Sequence, residues 1–406
     1  MLFQTLDDKA ECVGLYINKE LLFNPETLPP ALSTTWKYTP YLRGRDVEYI
    51  SLYLEGGNMS AHIPEYLQDD WNDISQKLGA FKRSLRTAQV NTHENCFFDL
   101  VPQRFLIELC EIKNKITQHI SDTIPRPSRY EFYKHVSMMV GEMAALPVNL
   151  DRRRIRTYLQ DPKLGSRAQT LLSCDAHVRY NQFGTKTGRL TTTQGTFPIL
   201  TLNKCFRAAI LPRNDFFVEL DFNGAEVRTL LGLLGRPQPP DDVHTFHLNH
   251  IFKSLSDRDA AKVAFFAWLY GAKASASQEE ARELGKFYDK ESLLRKYWKD
   301  EVITTPFKKV IKGVSAHHAL NYLVQSTAAE LTLKQALKMD YLLRNSSTGS
   351  HLAFIIHDSV VLDMKKEDEH LLNSLVSLMQ STNFGIFKIN ASKGTTLGDM
   401  RTLHCG

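Results

Sequence analysis

The sequence predicts an α+β protein, and two local patterns carry that prediction. Residues 216–235, FFVELDFNGAEVRTLLGLLG, read as an apolar strand turning into a short helix. Residues 351–364, HLAFIIHDSVVLDM, read as strand, polar tip and strand. Around them lie long runs with helical periodicity, the clearest at 258–271 (RDAAKVAFFAWLYG) and 317–338.

Composition narrows the classes. The chain has 406 residues, enough for two or three domains, and is 43% hydrophobic and 23% charged, as a soluble globular protein is. It has no run of about 18 apolar residues, so no membrane span is expected. The opening MLFQTLDDKAE lacks a basic stretch followed by an apolar one, so the expected location is cytoplasmic. Cys12, Cys96, Cys110, Cys174, Cys205 and Cys405 are scattered without a CxxC pair. They are expected as reduced, mostly buried thiols, with neither zinc nor disulfides. Net charge is +5 but uneven: −6 over residues 1–70, +5 over 71–160 and +6 over 161–406. A protein that grips a polyanion needs basic surface at the grip, so the first 70 residues are not expected to provide it.

In order along the chain, residues 1–70 read as short strands and turns, with a hairpin around Asn18-Lys19 and a Pro-rich stretch after it. Asp7 and Asp8 read as a solvated turn. From 71 to 124 the pattern is helical, with basic faces, and IPRPSR (124–129) breaks it. Helices are expected again at 131–146 and 150–159. HVRYNQFG (177–184) alternates as a strand. The helix at 224–235 stops at Gly235 and Pro237, and the next starts at Asp241 or Asp242 as N-cap. Helices follow at 258–271, 275–290, 291–300 and 317–338, then the hairpin and a last helix at 367–381.

The chemistry concentrates in three places. Arg258, Lys262, Phe266 and Tyr270 recur every four residues, and a four-residue step overshoots one helical turn by only about 40°. They form one stripe of two cations and two aromatics, suited to a polyphosphate and a base. Alone, the stripe reads as readily as a core helix with charges at its wet end. Asp221 ends an apolar strand and Asp358 sits at an apolar hairpin tip. Two such carboxylates side by side would repel and would call for a divalent cation, as two-metal phosphoryl transfer requires. Unrelated turn aspartates are the other reading. No Gly-rich P-loop and no GxGxxG opens a helix, which disfavours ordinary kinases and ATPases.

Together these residues resemble family A DNA polymerases of the bacterial polymerase I and bacteriophage kind. FFVELDFNGAEVR resembles that family's first carboxylate motif, RDAAKVAFFAWLYG its fingers motif and FIIHDSVVLDM its second carboxylate motif. TGRLTTTQGTFPILTLNK (187–204) is similar to its TGRL segment, and HHALNYLVQSTAAE to its long palm helix. The five stand in the family's order over about residues 177–364. The resemblance implies a right-hand fold with palm, fingers and thumb. Its parts would be an acidic docking or cap segment (1–70), a thumb-like helical region (71–160), palm (161–235), fingers (236–313) and palm again (314–406). It implies template-directed addition of dNTPs to a primer 3′ end, with primer-template DNA as partner and two Mg²⁺ ions, replaceable by Mn²⁺, as cofactors. Asp221, Asp358 and the Phe222 carbonyl would hold the metals, and Lys262 would protonate the leaving pyrophosphate. Arg258, Lys262, Phe266, Tyr270 and Glu226 would bind the nucleotide, Glu226 as steric gate against the 2′-hydroxyl. Arg189, Asn321, Gln325, His317, His357 and Arg228 would contact DNA. The expected form is a monomer of phage or bacterial type.

Departures from the family pattern are Ser359 where Glu usually follows the His-Asp, Gly224 where Gln is common, Ala267 where Gly follows the Phe, and His317 where Arg is frequent. No Asp-x-Glu exonuclease motif is found, so proofreading is expected from a separate protein or not at all. The alternatives are a single-subunit RNA polymerase, against which Glu226 argues, and a non-catalytic DNA-binding replication factor.

Overall fold

The computed structural model describes every residue except 10, 11, 93, 272–276 and 404–406. The chain divides into two compact units, Met1–Pro147 and Val148–Gly406. The predicted boundary at 160 therefore lies inside the second unit, and the first 70 residues share a unit with the helices that follow them.

The first unit opens with a sheet. Strands β1 (Leu2–Lys9), β2 (Cys12–Ile17) and β3 (Glu20–Phe23) are antiparallel, and β4 (Thr34–Thr35) and β5 (Glu48–Tyr49) extend the far edge in parallel. The predicted hairpin turn is present, with Asn18 and Lys19 both at positive φ. Helix α1 (Gln68–Thr87) and helix α2 (Gln103–Thr123) pack on this sheet: Ile74 of α1 meets Phe105, Leu106 and Leu109 of α2, with Leu6 and Leu21 against them. Helix α3 (Tyr130–Ala145) completes the unit. The apolar residues of α2 recur at three- and four-residue intervals, which is why one face is buried.

Two expectations fail here. Asp7 is no solvated turn residue: it lies in β1, 7% exposed, where it accepts the Phe97 N–H and pairs with Lys9 Nζ at 2.9 Å. A buried carboxylate persists only with such partners; the Asp8 side chain lies outside the described part. Cys12 and Cys96 are joined as a disulfide across 84 residues, with Cα atoms 5.6 Å apart. That separation carries no spacing signal. Cys110, Cys174 and Cys205 are free thiols, and Cys405 lies outside the described residues.

The second unit is built on strand β6 (Phe216–Phe222). Its preceding segment holds a short helix, α4 (Arg152–Arg156), where a longer one is expected, capped by Asp151. The expected strand at 177–184 shrinks to a two-residue pairing of Tyr180–Asn181 with Thr191–Thr192, because the glycine-containing turn 184–188 closes at once. After β6 come helices α5 (Ala225–Leu233), α6 (Val243–His250), α7 (Arg258–Leu269), α8 (Gln278–Phe287) and α9 (Lys290–Tyr297). Residues 275 and 276 of the helix expected at 275–290 lie outside the described residues; α8 starts with a capping box of Ser277 and Glu280. Helix α10 (Ala316–Asn345) is followed by the hairpin β7 (His351–Ile356) and β8 (Ser359–Met364), then helix α11 (Leu372–Gln380) and strands β9 (Ile389–Gly394) and β10 (Arg401–Thr402). The sheet order is β7-β8-β6-β9-β10, antiparallel throughout, with β6 central. One core gathers Val227, Leu230, Phe265, Tyr288 and Leu323 between α5, α7, α8 and α10. A second gathers Phe197 and Phe206 with Phe217 of β6 and Val361 of β8.

Candidate active site

The central strand brings the two aspartates together. Asp221 lies opposite Ser359 on β8 and opposite Asn390 on β9. Asp358 is the second residue of the two-residue hairpin tip, made possible by His357 in the left-handed region at φ 57°. The Phe222 N–H reaches the Asp358 carbonyl at 3.5 Å. Burial, then repulsion by Asp358, pushes the Asp221 carboxyl up to about 7; the Asn390 amide, 3.4 Å from Oδ2, opposes this only partly. Burial likewise raises Asp358. Two desolvated carboxyls, one at the end of the central strand and one at the neighbouring hairpin tip, are the arrangement the sequence left as one of two readings.

They form part of the wall of a cavity of about 370 Å³. Helix α7 supplies Arg258, Lys262 and Phe266 to the same cavity. The helix begins there because Asp257 caps it, accepting the Ala260 N–H at 2.9 Å. Phe265, one residue away, faces the core, fully buried and stacked on His247 at 4.4 Å, so the stripe and the core face separate as the periodicity requires. Tyr270 caps the helix end, outside the cavity lining, with its ring stacked on Phe266 at 5.9 Å. Its hydroxyl donates to Glu226, whose other carboxylate oxygen meets Arg189 Nη2 at 2.5 Å. Burial and then the Glu226 charge hold the Tyr270 hydroxyl well above its ordinary range. Glu226, Arg189, Phe222 and His357 all line the cavity.

No family model matches the chain. Among curated proteins it is 25% identical over 246 residues to DNA polymerase I of Bacillus subtilis, covering 49% of this chain and 28% of that one. It is 22% identical over 282 residues to DNA polymerase I of Aquifex aeolicus, covering 59% and 49%, and 24% identical over 251 residues to the DNA polymerase of Bacillus phage SP01, covering 47% and 27%. The matches thus span from about a quarter to half the length of these relatives. Among solved structures, the polymerase domain of Pol1 from M. smegmatis, in complex with DNA primer-template and dNTP, superposes with a TM-score of 0.66 at 14% identity, covering 98% of this chain and 95% of that one. The chain has the polymerase-domain fold of DNA polymerase I. The resemblance to family A read from the five motifs stands with it, at modest identity.

Within this polymerase fold, the predicted residues do not all reach the cavity. Asn321 and Gln325 lie half-buried on α10, before the turn where Ala328, Ala329 and Thr332 line it; His317 is exposed in the first turn of that helix. Arg228 is fully buried instead of facing DNA. Its guanidinium donates to the carbonyls of Asn223, Pro239 and Asp241, and burial lowers its pKa to about 10. A buried cation is kept here by backbone acceptors, which a sequence does not display.

Other residues were missed. His244, Asn223, Gly224 and Asn390 line the cavity. The N-cap signal of Asp242 was legible, but not that the first turn of α6 points His244 inward. Burial brings the His244 imidazole down to about 4, so it is neutral at physiological pH. Gly224 adopts φ +70°, and a Cβ there would meet Val243 at 2.5 Å, which accounts for glycine at this position.

Among the described residues no three His, Cys, Asp or Glu side chains come together as a ready metal cluster. The pair Asp221 and Asp358 nonetheless suits a divalent cation. Both are half-buried and neither forms an ion pair among the described residues, and carboxylate oxygens are the hard donors that Mg²⁺ takes. No described helix is long and apolar enough to cross a membrane.

Proposed function

We propose that the protein is a template-directed DNA polymerase that adds dNTPs to a primer 3′ end. The observation that carries this reading is the shared cavity: two desolvated aspartates on one wall, and Arg258, Lys262 and Phe266 on another. In this reading residues 236–313 are the fingers and the sheet around β6, with α10, is the palm. The helices of the first unit are the thumb.

Arg258 and Lys262 neutralise the triphosphate, and Phe266 packs on the sugar. Glu226, held between Arg189 and Tyr270, crowds the 2′ position and selects deoxynucleotides. Tyr270 completes the pocket for the base. Arg189, His357, Asn321, Gln325 and His317 contact primer and template. Asp221 and Asp358, with the Phe222 carbonyl, would hold two Mg²⁺ ions, which would supply Lewis-acid stabilisation of the charge on the attacking and leaving oxygens. As the primer 3′-hydroxyl gives up its proton to water and its oxygen bonds to the α-phosphorus, the bond from that phosphorus to the α–β bridging oxygen breaks, and Lys262 Nζ gives a proton to the departing pyrophosphate and regains one from water.

Primer extension on a primed template tests this. Wild-type protein extends with dNTPs and much less with rNTPs. Asp221→Asn and Asp358→Asn each abolish extension while primer-template binding persists. Extension that survived either substitution, or preferred use of rNTPs, would overturn the assignment.

A further inference from the structure

Arg258 does not stand alone at the cavity wall. Its Nε lies 3.0 Å from Asp242 Oδ1 and its Nη2 2.9 Å from Asp242 Oδ2, a two-point grip on one edge of the guanidinium. Asp242 itself does not line the cavity. It is the N-cap of α6, accepting the N–H groups of His244 and Thr245 and the Thr245 hydroxyl. Its Oδ2 also accepts the Asn223 side-chain amide at 2.7 Å. Asn223 is 5% exposed and follows Asp221 by two residues, and its own Oδ1 accepts the Val243 N–H. Burial alone would raise the Asp242 carboxyl, but hydrogen bonds from Arg258, Asn223 and the Thr245 N–H hold it well below the usual range.

We propose that Asp242 is a positioning residue for nucleotide binding: it grips Arg258 by the Nε–Nη2 edge and turns the opposite edge towards the triphosphate. The inference rests on reading the cavity as a dNTP site. Asp242 is anchored by the helix terminus and by Asn223 whether or not Arg258 is present. It is therefore the fixed post, and the long arginine side chain is the part that gains order. An arginine has five N–H donors in a planar fork, so two can stay on a carboxylate while others take phosphate oxygens. Ordering the side chain before binding removes an entropic cost that the ligand would otherwise meet. The second contact of Arg258, from Nη1 to Asp259, involves an 85% exposed carboxylate and is screened by water. Through Asn223 the same network reaches the end of β6, so the phosphate-binding cation and the strand bearing Asp221 share one frame. A carboxylate that instead competed with the phosphates for Arg258 would have the opposite effect when removed, so the sign of the mutant effect decides between the two.

The test is a double-mutant cycle on the whole chain. Asp242→Ser keeps a side-chain oxygen to cap α6 and loses the grip; Asp242→Asn is the second variant, and thermal melts report folding of each. The readouts are KM and kcat for a dNTP in primer extension, equilibrium binding of a dNTP to the complex with a dideoxy-terminated primer, and primer-template affinity. Both variants raise KM and weaken dNTP binding about tenfold, with kcat and primer-template affinity little changed. In an Arg258→Ala background, Asp242→Ser adds nothing further. An unchanged or lowered KM, or a penalty that adds in full to that of Arg258→Ala, overturns the inference while leaving the polymerase reading intact. Wild-type protein that neither extends a primer nor binds a dNTP overturns the polymerase reading and this inference together.

Discussion

Asp221 illustrates what a single residue's surroundings decide. Its carboxyl is pushed up to about 7 by burial and by Asp358, against about 3.9 in an unfolded chain. Between about pH 4 and pH 7 the metal-free folded protein then holds a proton that the unfolded chain has lost. Its stability from this group therefore declines as pH rises through that window. Asp221→Asn removes the term, so in metal-free buffer the variant melts above wild type at pH 8 and the gap closes towards pH 5. Addition of Mg²⁺ at pH 8 raises the wild-type melting temperature and barely moves the variant. A gap independent of pH would show that the two carboxyls do not share one desolvated site. The aspartates were legible from sequence because each ends an apolar run; their adjacency was not, since 137 positions separate them and only strand pairing closes that distance.

At the scale of elements, helices α6 and α7 are bound by aromatic packing around a histidine. His247 is fully buried, stacked on Phe265, with Nε2 2.5 Å from the Tyr288 hydroxyl. Burial brings its pKa down to about 3, and that of His244 to about 4. As pH falls below about 6.5 the unfolded chain takes up protons first, so stability contributed by these groups is lost progressively towards pH 3–4. His247→Phe keeps the ring stack, loses the bond to Tyr288 and removes one proton-sensitive group. The variant is expected to be less stable than wild type at pH 7.5 by about 1 kcal/mol, with a shallower loss between pH 6.5 and 4.5, as chemical denaturation at each pH would measure. Parallel pH profiles for the two proteins would exclude His247 from the acid sensitivity. The helices themselves were readable from periodicity and the Asp242 cap. The histidine pair was not, because a buried imidazole and an exposed one look alike in a sequence.

On the scale of the whole molecule, charge and contact divide the chain differently from its sequence pattern. Residues 1–147 carry 15 Lys and Arg against 19 Asp and Glu, a balance of −4, whereas residues 148–406 carry 35 against 26, a balance of +9. The basic helix faces that sequence alone drew into one block with the arginines at 152–156 thus separate from them, because Asp151 and the short α4 belong to the second unit. Each unit also has its own cores. The cavity, its aspartates and the Arg258–Asp242 pair all lie in the second unit, within residues 189–390. Residues 148–406 alone should therefore fold cooperatively and keep nucleotide binding. A dNTP with Mg²⁺ at about 100 times its Kd adds about 2.7 kcal/mol, which for a chain of this size raises the melting temperature by about 5–10 °C. Asp221→Asn in the fragment should abolish that shift. A fragment that melts without cooperativity would show that the second unit depends on the first for its fold. A cooperative fragment with no shift, while the whole chain shows one, would show that residues 1–147 contribute to the nucleotide site itself.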